Sequence, residues 1–270
     1  MTSHPTLSVA IITYNEEENI QDCLNSVKDW ADEIIVLDSF SSDRTAQICT
    51  KFPKVQFSQH PFDGHVQQKN RAMAMCSGEW ILSIDADERV SPLLKESILD
   101  LLQNPPEGIV GAKVPRLTRH MNRDIRHGGW YPHYRYRLIR KGMGTWAGEN
   151  PHDTLELRGN GMKLRGDLIH LSFKDLSDQV ITINNFSSIA ALARYNKGKS
   201  PSYFKLLFKP VSKFLEIFLI KRGFLDGFQG FVIAVSSAYS TFLKEAKLFE
   251  LSKLDLKKPS NLSAQYKKLR

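Results

Sequence analysis

Apolar runs and helix-periodic segments alternate from the start of the chain. LSVAII at 7–12 is a short, β-branched run. Thr13-Tyr14-Asn15 follows, and EEENIQDCLNSVKDW then sets Ile20, Cys23, Leu24 and Val27 at helical spacing. EIIVLD at 33–38 predicts a second strand, SFSSD a polar turn, 45–52 a helix and VQFSQ at 55–59 a third strand. A helix is expected over 66–76, stopped by Ser77-Gly78. WILSID at 80–85 is apolar almost throughout and reads as a central strand, and 92–102 forms another helix, ended by Asn104-Pro105-Pro106. Strands alternating with helices imply a parallel α/β sheet.

Beyond Gly108 the pattern changes. GAKVPRL, RYRLIRK and TLELRG read as antiparallel strands joined by the aromatic, glycine-rich loops HGGWYPHY and WAGENPHD, so the sheet becomes mixed. After Ser177 an amphipathic helix is expected over 180–197, and 203–251 is rich in Phe, Leu, Lys and Gly. We therefore expect a catalytic domain over 1–185 and a helical, basic and aromatic extension over 186–270.

Charge sharpens that division. The net charge is +8, but residues 186–270 hold 16 Lys/Arg against 5 Asp/Glu, a balance of +11, which leaves −3 for the first 185 residues. Three cysteines without C-x-x-C spacing argue against both a disulfide framework and a zinc knuckle. Residues 1–8 are polar and lack the basic and apolar regions of a secretion signal, so a cytoplasmic protein is expected.

The candidate chemistry centres on Asp85-Ala86-Asp87-Glu88, directly after the apolar strand, where an open α/β sheet presents its ligand crevice. Two carboxylates at i and i+2 can face Mg²⁺ or Mn²⁺, which usually takes one or two protein carboxylates and completes its shell with phosphate oxygens. An isolated D-x-D is more often a solvated acidic turn. Asp38, in VLDSFSSDRT, ends an earlier strand and can accept hydrogen bonds from a base or ribose, although Asp38 and Asp43 also suit turn chemistry. Thr13-Tyr14-Asn15-Glu16 sits at the same edge, with a helix cap at Asn15 as the bland alternative. Lys69 and Arg71, in QQKNRA, can pair with phosphates or form a solvated helix face.

TYNEEENI, VLDSFSSDRT, QKNRA and SIDADE, in this order and spacing, resemble the nucleotide-sugar site of glycosyltransferase family 2 over residues 7 to about 90. That resemblance implies a GT-A (Rossmann-like) fold, a metal cofactor, Mg²⁺ or Mn²⁺, and an inverting hexosyltransferase. By it Thr13, Tyr14, Glu16 and Asp38 would hold the nucleoside, and Lys69 and Arg71 would serve the base or diphosphate. Asp85 would face ribose or metal, and Asp87 would ligate the metal. Many family members carry a His-Glu pair after the strand RYRLIRK; here it reads His152-Asp153. Asp153 is our candidate base, Glu149 its rival, and His152 would orient the acid or complete the metal shell. Trp130, Tyr131 and Trp146 suit either sugar stacking or loop anchoring.

The tail segments YFKLLFKPVSKFLEIFLIKR and GFLDGFQGFVIAVSSAYSTFL are too charged or too polar to span a bilayer. A basic amphipathic helix lying on anionic lipid is the physical alternative, against a helical hairpin packed on the catalytic domain or another subunit. The GFLDG-like turn between aromatic segments is similar to the lipopolysaccharide-core β-glucosyltransferase branch of the family. It implies a UDP-sugar donor, UDP-glucose first, and a lipid-anchored saccharide acceptor such as an inner-core heptose, met at the inner face of the cytoplasmic membrane. HMNRDIRHGGWYPHYRYRLIRK could bind phosphates on such an acceptor; no nucleic-acid motif accompanies it. Other lipid-linked or protein acceptors stay open, and a homo-oligomer is allowed. A sugar nucleotidyltransferase fits less well, since TYNEEEN lacks a glycine-rich phosphate loop. A noncatalytic membrane or nucleic-acid binder built on the basic tail is the reading from another class.

Overall fold

The apolar runs at 7–13, 33–38 and 80–85 become strands covered on both faces, while the strand at 55–59 stays partly exposed at the sheet edge. The structure is a computed structural model that describes residues 5–148 and 153–253. The chain runs β1 (Leu7–Thr13), α1 (Ile20–Asn25), β2 (Glu33–Asp38), α2 (Thr45–Cys49), β3 (Val55–Gln59), α3 (His65–Met75) and β4 (Trp80–Asp85). It continues through β5 (Glu88–Val90), α4 (Pro92–Gln103), β6 (Ile109–His120), β7 (Arg123–Asp124) and β8 (His133–Arg140). Four short strands follow, β9 (Gly144–Ala147), β10 (Thr154–Leu157), β11 (Asn160–Lys163) and β12 (Leu168–Leu171).

The main sheet has the order β3-β2-β1-β4-β8-β6-β12-β5. The first four are parallel, and β8 joins β4 antiparallel, as the change of pattern beyond Gly108 implies. Alternate side chains divide between two cores. Val9, Ile11, Ile34, Val36, Leu82 and Ile84 pack to one side, and Ala10, Ile35, Leu37 and Ile81 to the other. Such continuous burial explains why these strands read as apolar runs. α4 is capped as its sequence suggests, with the Ser91 hydroxyl accepting from the Leu94 N–H and a proline at the first helical position.

Two compact units emerge. The first contains residues up to Leu117 together with Pro132–Leu171; the second contains Thr118–Tyr131 and Ser172 onward. The expected boundary near 185 falls within α5 (Leu176–Asn196), which continues unbroken across it.

In the second unit α5 packs on α7 (Gly227–Lys253), as does α6 (Tyr203–Leu215). A π-helical turn (Glu216–Ile220) and a 3-10 turn (Gly223–Asp226) link α6 to α7. The 3-10 turn approaches α7 so closely that a Cβ on Gly230 would lie 1.8 Å from the Gly223 carbonyl oxygen. Asp226, buried in that turn, accepts from the backbone N–H groups of Arg126 and His127 at 3.1 and 2.8 Å, and its other oxygen lies 2.8 Å from His127 Nδ1. Trp130 anchors the same loop, packed against a cluster containing Ile125, Ile217 and Ile233. No helix among the described residues is long and apolar enough to cross a membrane.

Candidate active site

Strand register gathers the site. Thr13 lies opposite Asp38 across β1 and β2, and Ile12 opposite Asp85 across β1 and β4, so three polar residues share the C-terminal rim of adjacent parallel strands. That rim is where an open α/β sheet receives its ligand.

At one end, buried Asp38 is held by neighbours. It accepts from the Ser41 N–H at 2.8 Å, the Ser41 hydroxyl at 2.5 Å, Gln59 Nε2 at 2.9 Å and the Thr13 hydroxyl at 3.3 Å. Asn15 is no helix cap here, because α1 starts only at Ile20. It takes a left-handed conformation, φ 54°, and its side-chain oxygen accepts from the Ser42 N–H at 2.8 Å. Asparagine tolerates that backbone better than most residues. Glu16 donates its N–H to the Thr45 hydroxyl at 2.9 Å and accepts from Asn19, while Tyr14 is exposed. Arg71 pairs with Asp63 at 2.9 Å and donates to Gln68 Oε1 at 2.8 Å. Gln68 in turn reaches the Ser39 hydroxyl and the His60 carbonyl, so Arg71 belongs to the Asp38 end of the rim.

At the other end lies a chain of opposite charges. Buried Lys69, on α3, bridges Asp85 Oδ1 at 2.9 Å and Asp153 Oδ2 at 2.8 Å. Arg137, on β8, meets Asp85 Oδ2 at 3.1 Å and Glu88 Oε1 at 2.7 Å. Glu88 is fully buried, and its second oxygen accepts the Asp85 N–H at 2.9 Å, which pins the D-x-D turn from inside. Burial pushes the Asp85 carboxyl up, but Lys69 and then Arg137 hold it well below the usual carboxylate range. Burial likewise opposes the charge on Arg137, and Glu88 and Asp85 outweigh it, raising its guanidinium above the ordinary value.

Asp87 differs from Asp85. Its Oδ2 lies 3.2 Å from His170 Nε2, on β12, and its Oδ1 is buried with no hydrogen-bond partner among the described residues. Burial raises this carboxyl, and the His170 ring more than offsets it, leaving it below the ordinary range. A buried, unpaired carboxylate oxygen costs free energy unless a cation or donor answers it, and Asp87 Oδ1 therefore fits a divalent ion. Among the described residues no three His, Cys, Asp or Glu side chains converge as a metal cluster. Asp87 would supply the protein's share of the shell, with His170, whose Nε2 here also contacts Arg116, as its neighbour, leaving places for substrate oxygens.

Sequence reasoning singled out Asp85, Asp87, Lys69 and Asp153, and the structure brings Asp85, Lys69 and Asp153 into contact. Glu149 and His152 lie outside the described residues. Arg137, Arg116, His170 and the role of Glu88 were missed. Their one signal was the crowding of arginines in RYRLIRK; nothing local in LIHLSF marks His170. Trp146 is buried on β9, donates to the Ser83 hydroxyl at 3.2 Å and has Lys69 over its ring at 4.2 Å. It anchors the site instead of offering a free face to a sugar.

The family model of glycosyl transferase family 2 matches residues 8–158. The lipopolysaccharide core biosynthesis glycosyltransferase LpsC of Rhizobium meliloti (strain 1021) is 31% identical over 90% of this chain and 92% of its own. An uncharacterized glycosyltransferase of Rickettsia typhi is 33% identical over 91% of this chain and 87% of its own. Among solved structures, the mannosyltransferase PcManGT from Pyrobaculum calidifontis, in complex with GDP-Man and Mn²⁺, superposes with a TM-score of 0.55 at 13% identity, covering 93% of this chain and 89% of that one. At that identity the likeness speaks for the fold.

Proposed function

The chain belongs to glycosyltransferase family 2, and from that premise we propose that it transfers glucose from UDP-glucose to an inner-core heptose during lipopolysaccharide core assembly. The observation that carries the reading is the rim itself: Thr13, Asp38 and Asp85 at the ends of adjacent strands, and an under-satisfied carboxylate at Asp87 in the turn that follows Asp85. The name of LpsC supports the choice of acceptor class.

Asp38, Thr13, Tyr14 and Glu16 bind the nucleoside, with Arg71 beside them, and Lys69 and Asp85 mark the path of the diphosphate. Asp87, with His170 beside it and His152 as a further candidate, would hold Mg²⁺ or Mn²⁺. When bound, that ion neutralises the charge that develops on the departing diphosphate. Asp153 takes the proton of the attacking hydroxyl, with Glu149 as the rival base. The acceptor oxygen bonds the anomeric carbon as the bond to the diphosphate oxygen breaks, and the electron pair leaves with UDP. Attack from the face opposite the leaving group inverts the centre. Lys69, gripping Asp153 Oδ2 at 2.8 Å, fixes the direction in which that carboxylate works.

The extension serves the acceptor's location. Phe204, Leu207 and Val211 lie on one stripe of α6 and are 69%, 63% and 59% exposed, with Phe208 and Leu215 beside them. Lys205, Lys209 and Lys213 run along the neighbouring stripe at spacing i, i+4, i+8. An apolar face edged by lysines suits the anionic inner face of the cytoplasmic membrane, where side-chain stems bury and ammonium groups stay wet.

The test is transfer of labelled glucose from UDP-glucose to a heptose-terminated core acceptor, with and without Mn²⁺ or Mg²⁺. Metal-dependent product on the heptose is expected. Product on another saccharide or on protein would move the acceptor, and no product from any UDP-sugar would overturn the proposal.

A further inference from the structure

A second charged feature of the first unit is not used by donor binding. On β8, His133 and Arg135 are two residues apart and exposed, so both project from one face of the strand. Across the ladder, Arg116 of β6 stands directly opposite His133, and Val114 opposite Arg135, which puts the Arg116 side chain on that same face. Three basic side chains thus share one patch.

Two arginines on this strand contrast. Arg137 is paired through one nitrogen with both Asp85 and Glu88. Arg135 has no carboxylate at ion-pair distance among the described residues. Burial first, and then repulsion from Arg116 and Arg137, hold its guanidinium below the ordinary value, with Asp153 alone pulling the other way. His133 is lowered by burial and by the same neighbours, Arg135 and Arg116. Arg116 meets Glu88 at 3.2 Å, but Arg135 and His133 have no carboxylate of their own among the described residues, and positive charge left so is relieved when an anion binds beside it.

The patch also has a direction. Arg135 lies two residues beyond Arg137 on β8, outward of the contact that Arg137 makes with Asp85, whereas Arg116 reaches the other way, to Glu88 and His170. An anion held by Arg135 and His133 therefore lies outward of the Lys69–Asp85 pair proposed for the donor diphosphate, which leaves it for the acceptor.

We infer that Arg135, with His133 and Arg116, forms a binding site for an anionic substituent of the acceptor, a phosphate or a carboxylate near the hydroxyl that is glycosylated. The inference rests on the proposed transfer for its acceptor, but the anion site itself can be measured without it.

Arg135→Met keeps the aliphatic stem and removes the charge, and Arg135→Lys keeps a charge without the fork. First, protein saturated with UDP and Mn²⁺ is titrated calorimetrically with inorganic phosphate. Wild type binds, Arg135→Lys binds more weakly, and Arg135→Met loses about tenfold or more in affinity. Second, transfer kinetics use a deacylated inner-core oligosaccharide in three forms: intact, enzymatically dephosphorylated and carboxyl-reduced. Arg135→Met is expected to raise the KM for the intact acceptor about tenfold with kcat within about twofold and UDP affinity unchanged. The gap closes on one neutralised form, and that form names the anion.

A phosphate affinity unchanged by Arg135→Met would overturn the site. So would a KM gap equal on all three acceptors, or a parallel loss of UDP affinity, which would assign Arg135 to the donor phosphates. Arg135-dependent phosphate binding in a wild type that glycosylates no core acceptor would uphold the anion site and refute the acceptor assigned to it.

Discussion

The rim of the first unit and α6 of the second depart from ordinary burial in opposite directions. At the rim, Lys69, Arg137, Glu88 and Asp85 are brought in from water, and each is answered by an opposite charge. On α6, Phe204, Leu207 and Val211 are left outside. Taking charges out of water costs several kcal/mol per ion unless they are paired, and leaving large apolar side chains in water forgoes about 1.5–3 kcal/mol each. The first arrangement pairs its charges but leaves one carboxylate oxygen, Asp87 Oδ1, and the Nε atoms of Arg116 and Arg137 without a hydrogen-bond partner among the described residues; the second is open along a whole face. What each lacks is the ground for what we propose it meets: a cation and the anion it carries at the rim, an apolar surface with negative headgroups at α6.

The largest effect should come from the unpartnered carboxylate oxygen at the rim. Asp87→Asn keeps the side chain's size and removes the charge, and transfer should fall at least about 100-fold, while unfolding free energy changes less than on loss of a fully buried partner, because only the Oδ2 contact with His170 is weakened and Oδ1 has no partner to lose. Glu88→Ala reverses this pattern. It strips Arg137 of one of its two counter-charges, Arg116 of its partner and the Asp85 N–H of its acceptor, and should cost about 3–5 kcal/mol in equilibrium unfolding. Transfer that survives Asp87→Asn, or stability unmoved by Glu88→Ala, would erase the distinction between the two carboxylates.

On the open side, Phe204→Ser, Leu207→Ser and Val211→Ser combined should abolish sedimentation with vesicles containing anionic lipid. UDP affinity and unfolding free energy should remain close to wild type, since these side chains are already in water. Retained vesicle binding would point to a packing partner for α6 instead of lipid.

The smallest effect is a pH dependence. The Asp85 carboxyl is depressed in the folded chain, so the stability it gains from Lys69 and Arg137 is fully present above its unfolded value and is lost as pH falls through the lower folded one. Asp85→Asn should therefore be less stable than wild type at neutral pH, by an amount that shrinks as unfolding is repeated toward strongly acid pH. A constant difference would mean that the cations do not stabilise the ionised form.

Much of this was legible in the sequence. The inner parallel strands announced themselves as apolar runs because both faces are buried, and their ends placed Thr13, Asp38 and Asp85 together before any coordinates. Short helices were overestimated: the 45–52 segment stops at Cys49, since only Thr45 and Cys49 of that turn are buried. Asn15 was open to reading as a cap because asparagine serves both caps and left-handed turns. His170 and Arg116 were illegible for a different reason. They reach Asp87 and Glu88 from β12 and β6, strands whose pairing sets their place and whose local sequence carries no motif. The exposed stripe of α6 was visible as periodicity, but exposure itself depends on which face α7 covers.

The central claim is that the rim grips a nucleoside diphosphate through an ion at Asp87. Calorimetric titration of UDP into wild type and Asp87→Asn, each with and without Mn²⁺, tests it most directly. The account predicts that Mn²⁺ strengthens UDP binding to wild type at least about tenfold and leaves the variant's weak binding unchanged. Equal metal enhancement in both proteins, or none in wild type, would contradict it.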